Sequence, residues 1–394
     1  MPYIIEPPRY NSQCIDFSEW ISLLTLCLAP LIVHLLAGHP PVSYLAHNRP
    51  PWYDRLCHYN PTSIIWRYAA ITDRRIRAIR WSKTDFAATN AIFWTTEGWD
   101  GGEHMVVDAS PHCFRYPDHT RTGIFTLTML QTIITVLQGV SAMYALIGSL
   151  AGLPNLNFNL FMGVDQVFFP IAILGLLRLF PAVWLTEDFV YTIQTERPVQ
   201  PLTQCFPVTD GRQGQSPITP KDPLDVVKTT IPEPESHFKS TSYWPSRIFR
   251  IFYLLFLLGV WGLALVFVTS IRDVQGLIVA TTTVYLVALL HLIFLSVSIV
   301  LYTYYFYRGS TTTTLLPCIS SNWYRLYTIF IMSFTVVLII IASVETNKDP
   351  AGRYTSAAPR TFQFPSSVRG QFLGCVRCIA QRKARYYKFS EIPN

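Results

Sequence analysis

The sequence predicts an all-α, polytopic helical membrane protein with about six transmembrane helices. Half of the 394 residues are hydrophobic, only 14% are charged, and the mean hydropathy is +0.28. A soluble protein of this length would carry about a quarter of charged residues. The apolar residues also collect in runs of about 20, the length that an α-helix needs to cross a bilayer. These observations place the chain among integral membrane proteins.

Six apolar runs are the candidate spans. In chain order they cover residues 20–37, 124–150, 167–185, 248–268, 277–302 and 326–344. The first is short and contains Pro30 and His34. The third contains Arg178, whose guanidinium needs a polar partner or access to water. Because the spans are even in number, both termini are predicted to lie on the same side of the membrane.

Basic residues near the span ends predict the orientation, because they resist translocation. Eleven of them follow spans one, three and five, against five on the other side. The two long loops, residues 38–123 and 186–247, are therefore predicted to be cytoplasmic. The tail, residues 345–394, argues for the opposite side, since it is basic and its Cys375 and Cys378 are hypothetical lipidation sites. A cytosolic tail would require an odd number of spans.

The segments outside the spans differ in composition. Residues 1–19 are acidic and lack the basic region of a cleavable signal, so we interpret span one as retained. Residues 186–247 are rich in proline and polar residues without periodic apolar positions, which predicts a disordered linker. Residues 38–123 are rich in tryptophan, histidine and arginine and are predicted to be partly ordered.

The first long loop contains a basic amphipathic stretch, PTSIIWRYAAITDRRIRAIRW, residues 61–81. Isoleucines alternate there with arginines, a composition typical of a helix that lies on anionic lipid headgroups. The residues predicted to contact the membrane surface are Arg74, Arg75, Arg77 and Arg80. The alternative is a helix packed on its own domain with a solvated basic face. Lipid headgroups are the expected partner, and the charge pattern does not indicate a nucleic acid.

The stretch RPPWYDRLCHYNPTSIIWRYAAITDRRIRA, residues 49–78, followed by NAIFWTTEGWDGG, resembles a block of uncharacterised multi-span membrane proteins of filamentous fungi. The resemblance lies mainly in residues 49–102 and implies a multi-pass membrane protein of such an organism. It implies no activity and no catalytic residues.

Polar side chains on span two are predicted to face other helices or water, because an amide exposed to lipid would leave its hydrogen-bonding groups unpaired. Their spacing of three or four residues places them on one face, and they are Thr128, Gln131, Thr135 and Gln138. Helix packing and a hydrophilic substrate path are both open readings of Gln131 and Gln138, together with Arg178 and His291. Arg178 is expected to extend toward the loop side, where Glu187 and Asp188 are possible partners.

The sequence contains no recognisable catalytic motif, and it predicts no metal site and no cofactor. Histidines such as His104 and His112 are concentrated in the first loop, but the spacing HExxH and closely spaced histidine boxes are missing. A membrane-embedded adaptor or regulatory protein is the leading interpretation. A small-solute transporter or channel is the alternative, and a membrane-bound enzyme using the histidine-rich loop is the second alternative.

Overall fold

The computed structural model describes residues 3–5, 15–150, 162–192, 237–269, 278–348, 352 and 354–356. The helices of this part are α1 Phe17–Gly38, α2 Trp52–Leu56, α3 Pro61–Arg77, α4 Lys83–Asn90, α5 Met105–Asp108, α6 Leu127–Leu150, α7 Phe169–Gly175, α8 Trp244–Thr269, α9 Thr282–Tyr307 and α10 Asn322–Glu345. The strands are β1 Tyr3–Ile5, β2 Val42–Tyr44, β3 Ile92–Thr95, β4 Gly98–Asp100, β5 Cys113–Arg115, β6 Val190–Tyr191, β7 Ile278–Ala280, β8 Asn347–Lys348 and β9 Tyr354–Thr355.

Five helices of the described part are long and apolar enough to cross a membrane: α1, α6, α8, α9 and α10. They coincide with predicted spans one, two, four, five and six, and they make the chain an integral multi-pass membrane protein. Their apolar side chains remain exposed on the outer faces, as expected of helices that lipid surrounds. On α6 these side chains include Leu130, Ile133, Leu137, Val140 and Tyr144.

The prediction of a continuous helix over residues 167–185 is wrong. The segment forms the short helix α7 and two 3₁₀ turns, Leu176–Leu179 and Ala182–Trp184. Pro170 lies in the first turn of α7, where its missing N–H costs nothing. Pro181 lies between the two 3₁₀ turns and cannot donate a backbone hydrogen bond to the preceding turn, so an α-helix cannot continue through it without a break.

The bundle has two distinct ends. At the loop end, α1 and α9 finish while α6, α8 and α10 begin. At the opposite end, the Glu345 carboxylate accepts from the backbone N–H of Thr283 at 2.8 Å, and the backbone N–H of Val164 donates to the Thr346 hydroxyl at 2.9 Å. The backbone N–H of Thr186 donates to the Asn90 side chain in the first long loop at 3.2 Å. The broken segment from residue 164 to 186 therefore begins beside the opposite end and reaches the loop end.

Helix α3, which contains most of the basic amphipathic stretch, is not a surface helix. All of its residues except Arg75 and Ile76 are buried. Its N-terminus enters the bundle, where the Asn60 side chain donates to the Thr328 hydroxyl at 2.9 Å. Farther along, the Tyr253 hydroxyl donates to the Ile65 carbonyl at 2.7 Å. Surface contact was predicted from the basic face, but neighbouring segments cover that face, and the helix belongs to the main hydrophobic core.

The remainder of the first long loop and short parts of the later connections fold into a small domain at the loop end. We call this domain the cap, and it comprises residues 39–60, 78–123, 185–192, 237–243 and 308–321. Strand β3 pairs in parallel with β2 and in antiparallel with β4, and Gly98 at φ +119° permits the turn between β3 and β4. Strands β5 and β6 form a second pair. The all-α prediction lacks these short strands, although the described chain is mostly helical.

Several predictions fall partly or wholly outside the described residues. Residues 193–236, most of the predicted disordered linker, lie outside them, as do Cys375 and Cys378. Both ends of that linker are described and form part of the cap. Phe238 is buried in the hydrophobic cluster of the cap, and the backbone N–H of Ile79 donates to the carbonyl of His237 at 3.0 Å. The ends of the linker are thus ordered in this structure.

A candidate buried cationic site

Arg178 lies inside the protein, with only 1% of its surface exposed. Its Nε donates to the Thr132 hydroxyl at 2.8 Å, and its Nη1 donates to the Ala37 carbonyl. Weaker contacts join the guanidinium to Gln131 Oε1 at 3.3 Å and to the Tyr68 hydroxyl at 3.3 Å. The structure thus differs from the expectation that Arg178 reaches water or a carboxylate. Every hydrogen-bond acceptor that it meets among the described residues is neutral.

The neutral acceptors explain how a guanidinium is tolerated there. Ala37 and Gly38 are the last residues of α1, where backbone carbonyls lack intrahelical partners and carry a partial negative charge. Arg178 donates to the carbonyl of Ala37, and Arg67 of α3 donates to that of Gly38 at 3.1 Å. The two cations therefore complete the C-terminal end of a membrane helix.

An arginine also donates to a backbone carbonyl at the C-terminal end of α9. Arg250 of α8 donates from Nη1 to the carbonyl of Phe306 at 2.9 Å and from Nη2 to that of Thr241. Its Nε lies 3.7 Å from the buried carboxylate of Asp73. Arg250 is one of the eleven basic residues near span ends from which the orientation was predicted. In the structure it joins α8, α9 and the cap.

Two of the four arginines predicted at the membrane surface are buried in the protein, so that prediction is wrong for Arg74 and Arg77. Arg77 pairs with Asp73 at 3.0 Å and with Glu103. Arg74 donates to the carbonyls of Gly101 and Thr312, both at 2.7 Å. Long-range acceptors from the cap replace the phosphates that the sequence pattern favoured.

The other two predicted surface arginines remain accessible. Arg75 is partly exposed, with its guanidinium 5.4 Å from the ring centroid of Trp81 and 5.7 Å from that of Trp184. Arg80 is exposed. Contact with anionic headgroups stays a prediction for these two residues.

The predicted polar face of α6 contacts other segments of the protein. Thr128 and Thr135 are buried, and Gln131 bonds to Arg178. Gln138 is half-buried, one helical turn beyond Thr135. Gly139 permits a close approach here, because a Cβ at this position would lie 2.7 Å from the carbonyl oxygen of Ala172. The face therefore packs against the broken segment.

His291 lies apart from Arg178, in the middle of the bundle. It is buried, and its Nδ1 lies 2.7 Å from the carbonyl of Val287, while its Nε2 has no hydrogen-bond partner. It lines an apolar cavity of about 40 Å³ with Pro61 and Phe294. The structure does not bring His291 together with Arg178 and Gln131, so the proposed substrate path of these residues is not continuous in the described part.

Arg67 and His58 are functional candidates that the sequence placed in the basic stretch and among the first-loop histidines but did not single out. Both are buried, and the Nε of Arg67 and the Nε2 of His58 have no hydrogen-bond partner. Both line a small, largely apolar cavity between α3 and the cap, together with Gly38, Ser63 and Thr314. Arg67 precedes the arginine-rich part of its helix, and His58 is one of several histidines in the first loop that share no motif spacing. Only their meeting in three dimensions singles them out.

The charge around this cavity is positive. Burial lowers the pKa of Arg67 to about 10, and the neighbouring charge of Arg178 acts in the same direction, so Arg67 remains protonated at neutral pH. Burial, then His39 and Arg67, lower the pKa of His58 to about 3. A neutral imidazole there can donate a hydrogen bond from Nε2 in one tautomer.

We find no family model, curated protein or solved structure that matches this chain. Within the described residues, no group of three or more His, Cys, Asp or Glu side chains is arranged to hold a metal ion. Among the first-loop histidines, His39 and His58 are neighbours, with ring centroids 6.4 Å apart. His104 lies 3.0 Å from the Asp100 carboxylate, whereas His58 packs against Trp99 with ring centroids 4.3 Å apart.

Proposed function

We propose that the protein is a membrane transporter or channel for small anions. The observation that carries this proposal is a pair of buried guanidiniums, Arg67 and Arg178, that have no carboxylate hydrogen-bonded to them among the described residues. Ionisable groups inside membrane proteins are costly and often belong to an ion or substrate pathway. A cationic centre with unused donors, Arg67 Nε and His58 Nε2, is suited to a negative ligand.

One of these arginines comes from an interrupted element, which supports transport. Transporters commonly build their ion sites from discontinuous helices rather than from unbroken spans. Arg178 comes from the broken segment, and Arg67 comes from α3, whose N-terminus lies among the long helices. Both guanidiniums lie near the C-terminal end of α1, at the loop end of the bundle.

We further propose that the broken segment is a sixth crossing of the membrane. Contact of Val164 with Thr346 at one end and of Thr186 with Asn90 at the other supports this count. Six crossings would place both termini on one side and the cap on the other. The excess of basic residues in the connections supports a cytoplasmic cap. Accessibility labelling of single cysteines at exposed cap position Lys83 and in the C-terminal tail tests the sidedness.

Reconstitution into proteoliposomes tests the transport proposal. Wild-type protein should release entrapped chloride faster than protein-free vesicles do, as recorded with a chloride electrode. Arg178→Gln should slow the release at least tenfold, whereas the exposed control Arg308→Gln should not. Because Arg178 also supports α1, each variant is first compared by gel filtration. Wild-type release no faster than in empty vesicles contradicts the proposal, as does unchanged release in Gln131→Ala, Gln138→Ala and Arg178→Gln together.

An adaptor or regulatory protein is the second candidate, favoured by an exposed apolar patch on the cap. Phe114 of β5 is 81% exposed, and Val190 of the paired strand β6 is 41% exposed. An apolar ribbon of this kind can bind a protein partner. For an adaptor, Phe114→Ser should abolish partner binding, and the protein should release no chloride from vesicles. Chloride release by wild-type protein that Phe114→Ser leaves unchanged supports transport.

A further inference from the structure

We propose that the cavity between Arg67 and His58 binds a single halide ion, with chloride as the physiological ligand. This inference names the ligand of the proposed transport function and rests on it for its biological meaning. The binding itself depends only on the geometry of the cavity.

Two buried nitrogen atoms at this cavity have no hydrogen-bond partner among the described residues. Arg67 uses Nη1 for the carbonyl of Gly38 at 3.1 Å and Nη2 for that of Asn90 at 2.9 Å. Its Nε is buried and has no acceptor, and the same holds for Nε2 of His58. A buried donor without a partner destabilises the folded protein, and it does so more strongly when it is charged. An acceptor in this cavity removes that destabilisation at both positions.

The charge balance selects an anion over a neutral acceptor. Among described residues, Glu187 is the carboxylate that influences Arg67, and it does so less than the like charge of Arg178. The α1 carbonyls supply only partial negative charge to these two cations. A monovalent anion neutralises the remainder in surroundings where apolar side chains, including Ile92 and Ile319, keep the local dielectric constant low.

The size of the cavity selects a monoatomic ion. Its volume of about 10 Å³ corresponds to one water-sized particle. A halide is slightly larger than water and can be accommodated by small side-chain movements. Phosphate, sulfate and carboxylates of metabolites have several heavy atoms and do not fit. The Ser63 hydroxyl donates to Cys57 O at 2.8 Å and the Thr314 hydroxyl to Gly101 O at 3.3 Å, which leaves Arg67 and His58 as the donors.

The first test is crystallographic. The full-length protein is crystallised in sodium bromide, and anomalous scattering is recorded at the bromine edge. The expected result is a bromide peak between Arg67 Nε and His58 Nε2. A non-anomalous peak at this position is a bound water, and that result overturns the inference.

The second test measures binding in solution without any transport assay. The thermal unfolding midpoint of the detergent-purified protein is followed in sodium bromide and in sodium gluconate at equal ionic strength. The wild-type midpoint should rise with bromide only, since a ligand that binds the folded state stabilises it. A rise of equal size in both salts contradicts a halide site.

Two variants and a control sharpen this measurement. His58→Phe fills the cavity and removes one donor while leaving Arg67 in place, and it should weaken the apparent bromide affinity at least about tenfold. Arg67→Gln should do the same. The control Arg75→Gln removes a partly exposed arginine of the same helix and should retain the wild-type response. Wild-type bromide affinity in His58→Phe overturns the inference.

The inference and the proposed function can fail separately. Bromide bound in the cavity, without chloride release from proteoliposomes, supports the halide site and contradicts the transporter. Chloride release without a bromide peak or a bromide-specific midpoint shift supports transport and contradicts this site.

Discussion

Replacement of Arg178 by glutamine tests whether this arginine is a structural link between α1, α6 and the broken segment. The substitution keeps a polar side chain of moderate length but removes the charge and most of the donors. Arg178 donates to five acceptors, of which the Thr132 hydroxyl at 2.8 Å and the Ala37 carbonyl are close. Loss of these two charged hydrogen bonds should lower the free energy of unfolding by about 3 kcal/mol or more.

The other three contacts, to Tyr68, Gln131 and the carbonyl of Thr128, span 3.3 to 3.4 Å and should add little. Solvent screening does not reduce the effect, because the side chain is 1% exposed. A loss of about 3 kcal/mol corresponds to a fall of roughly 4 °C in the thermal unfolding midpoint for a protein of this size.

The midpoint is measured by intrinsic fluorescence in mild detergent, at several detergent concentrations. Arg308→Gln is the matched control. Arg308 is exposed, and among the described residues its side chain donates to the neighbouring Tyr304 hydroxyl at 2.7 Å, so the substitution should change the midpoint by less than 1 °C. If Arg178→Gln unfolds within 1 °C of that control, the assignment of Arg178 as a buried link is refuted. The arginine would then reach water, as its sequence context suggested.

Other substitutions test neighbouring features of the fold. Arg250→Gln should destabilise by about 2 kcal/mol in the same fluorescence assay, because the carbonyl end of α9 loses its cation; an unchanged midpoint would contradict that role. Gly139→Ala should cost about 1–3 kcal/mol, since its Cβ meets the Ala172 carbonyl, whereas Gly259→Ala, with no atom within 4 Å, should be neutral or stabilising. Burial lowers the pKa of His39 to about 4 and that of His58 to about 3, from 6.5. Below pH 6.5 the unfolded chain therefore binds more protons at these two histidines than the folded protein does. Their neutral forms cost no stability above that pH, and the free energy of unfolding falls as the pH is lowered toward 4. His58→Phe should flatten this fall, and an identical pH profile in the variant would exclude His58 as a contributor.

The sequence predicts the long helices well because their signal is local. A run of apolar residues in α9 or α10 needs no knowledge of the rest of the chain to be read as a span. Residues 167–185 have a similar apolar composition, and Pro170, Pro181 and Arg178 distinguish them. Proline is tolerated within many membrane helices, including α1 with Pro30, so its presence alone did not predict a break.

The buried site was harder to predict because its partners are remote in sequence. The basic face of α3 is suited equally to phosphates, water or buried carbonyls. Which of these it meets is decided by Gly101 and Thr312, which accept from Arg74 across 27 and 238 residues of chain. Arg67 and His58 belong to no motif, since their shared cavity arises only when α3 packs beside the cap.

The cation that completes α1 has a consequence for the order of assembly during synthesis. Ala37 and Arg178 are 141 residues apart, so α1 leaves the ribosome long before its terminal carbonyl can find that guanidinium. Nascent chains that end before residue 178 should hold α1 only loosely against α6. The emergence of Arg178 then ties the first helix of the chain to its middle. A contact of such length closes a large loop late, which makes the first half of the protein dependent on the arrival of the second.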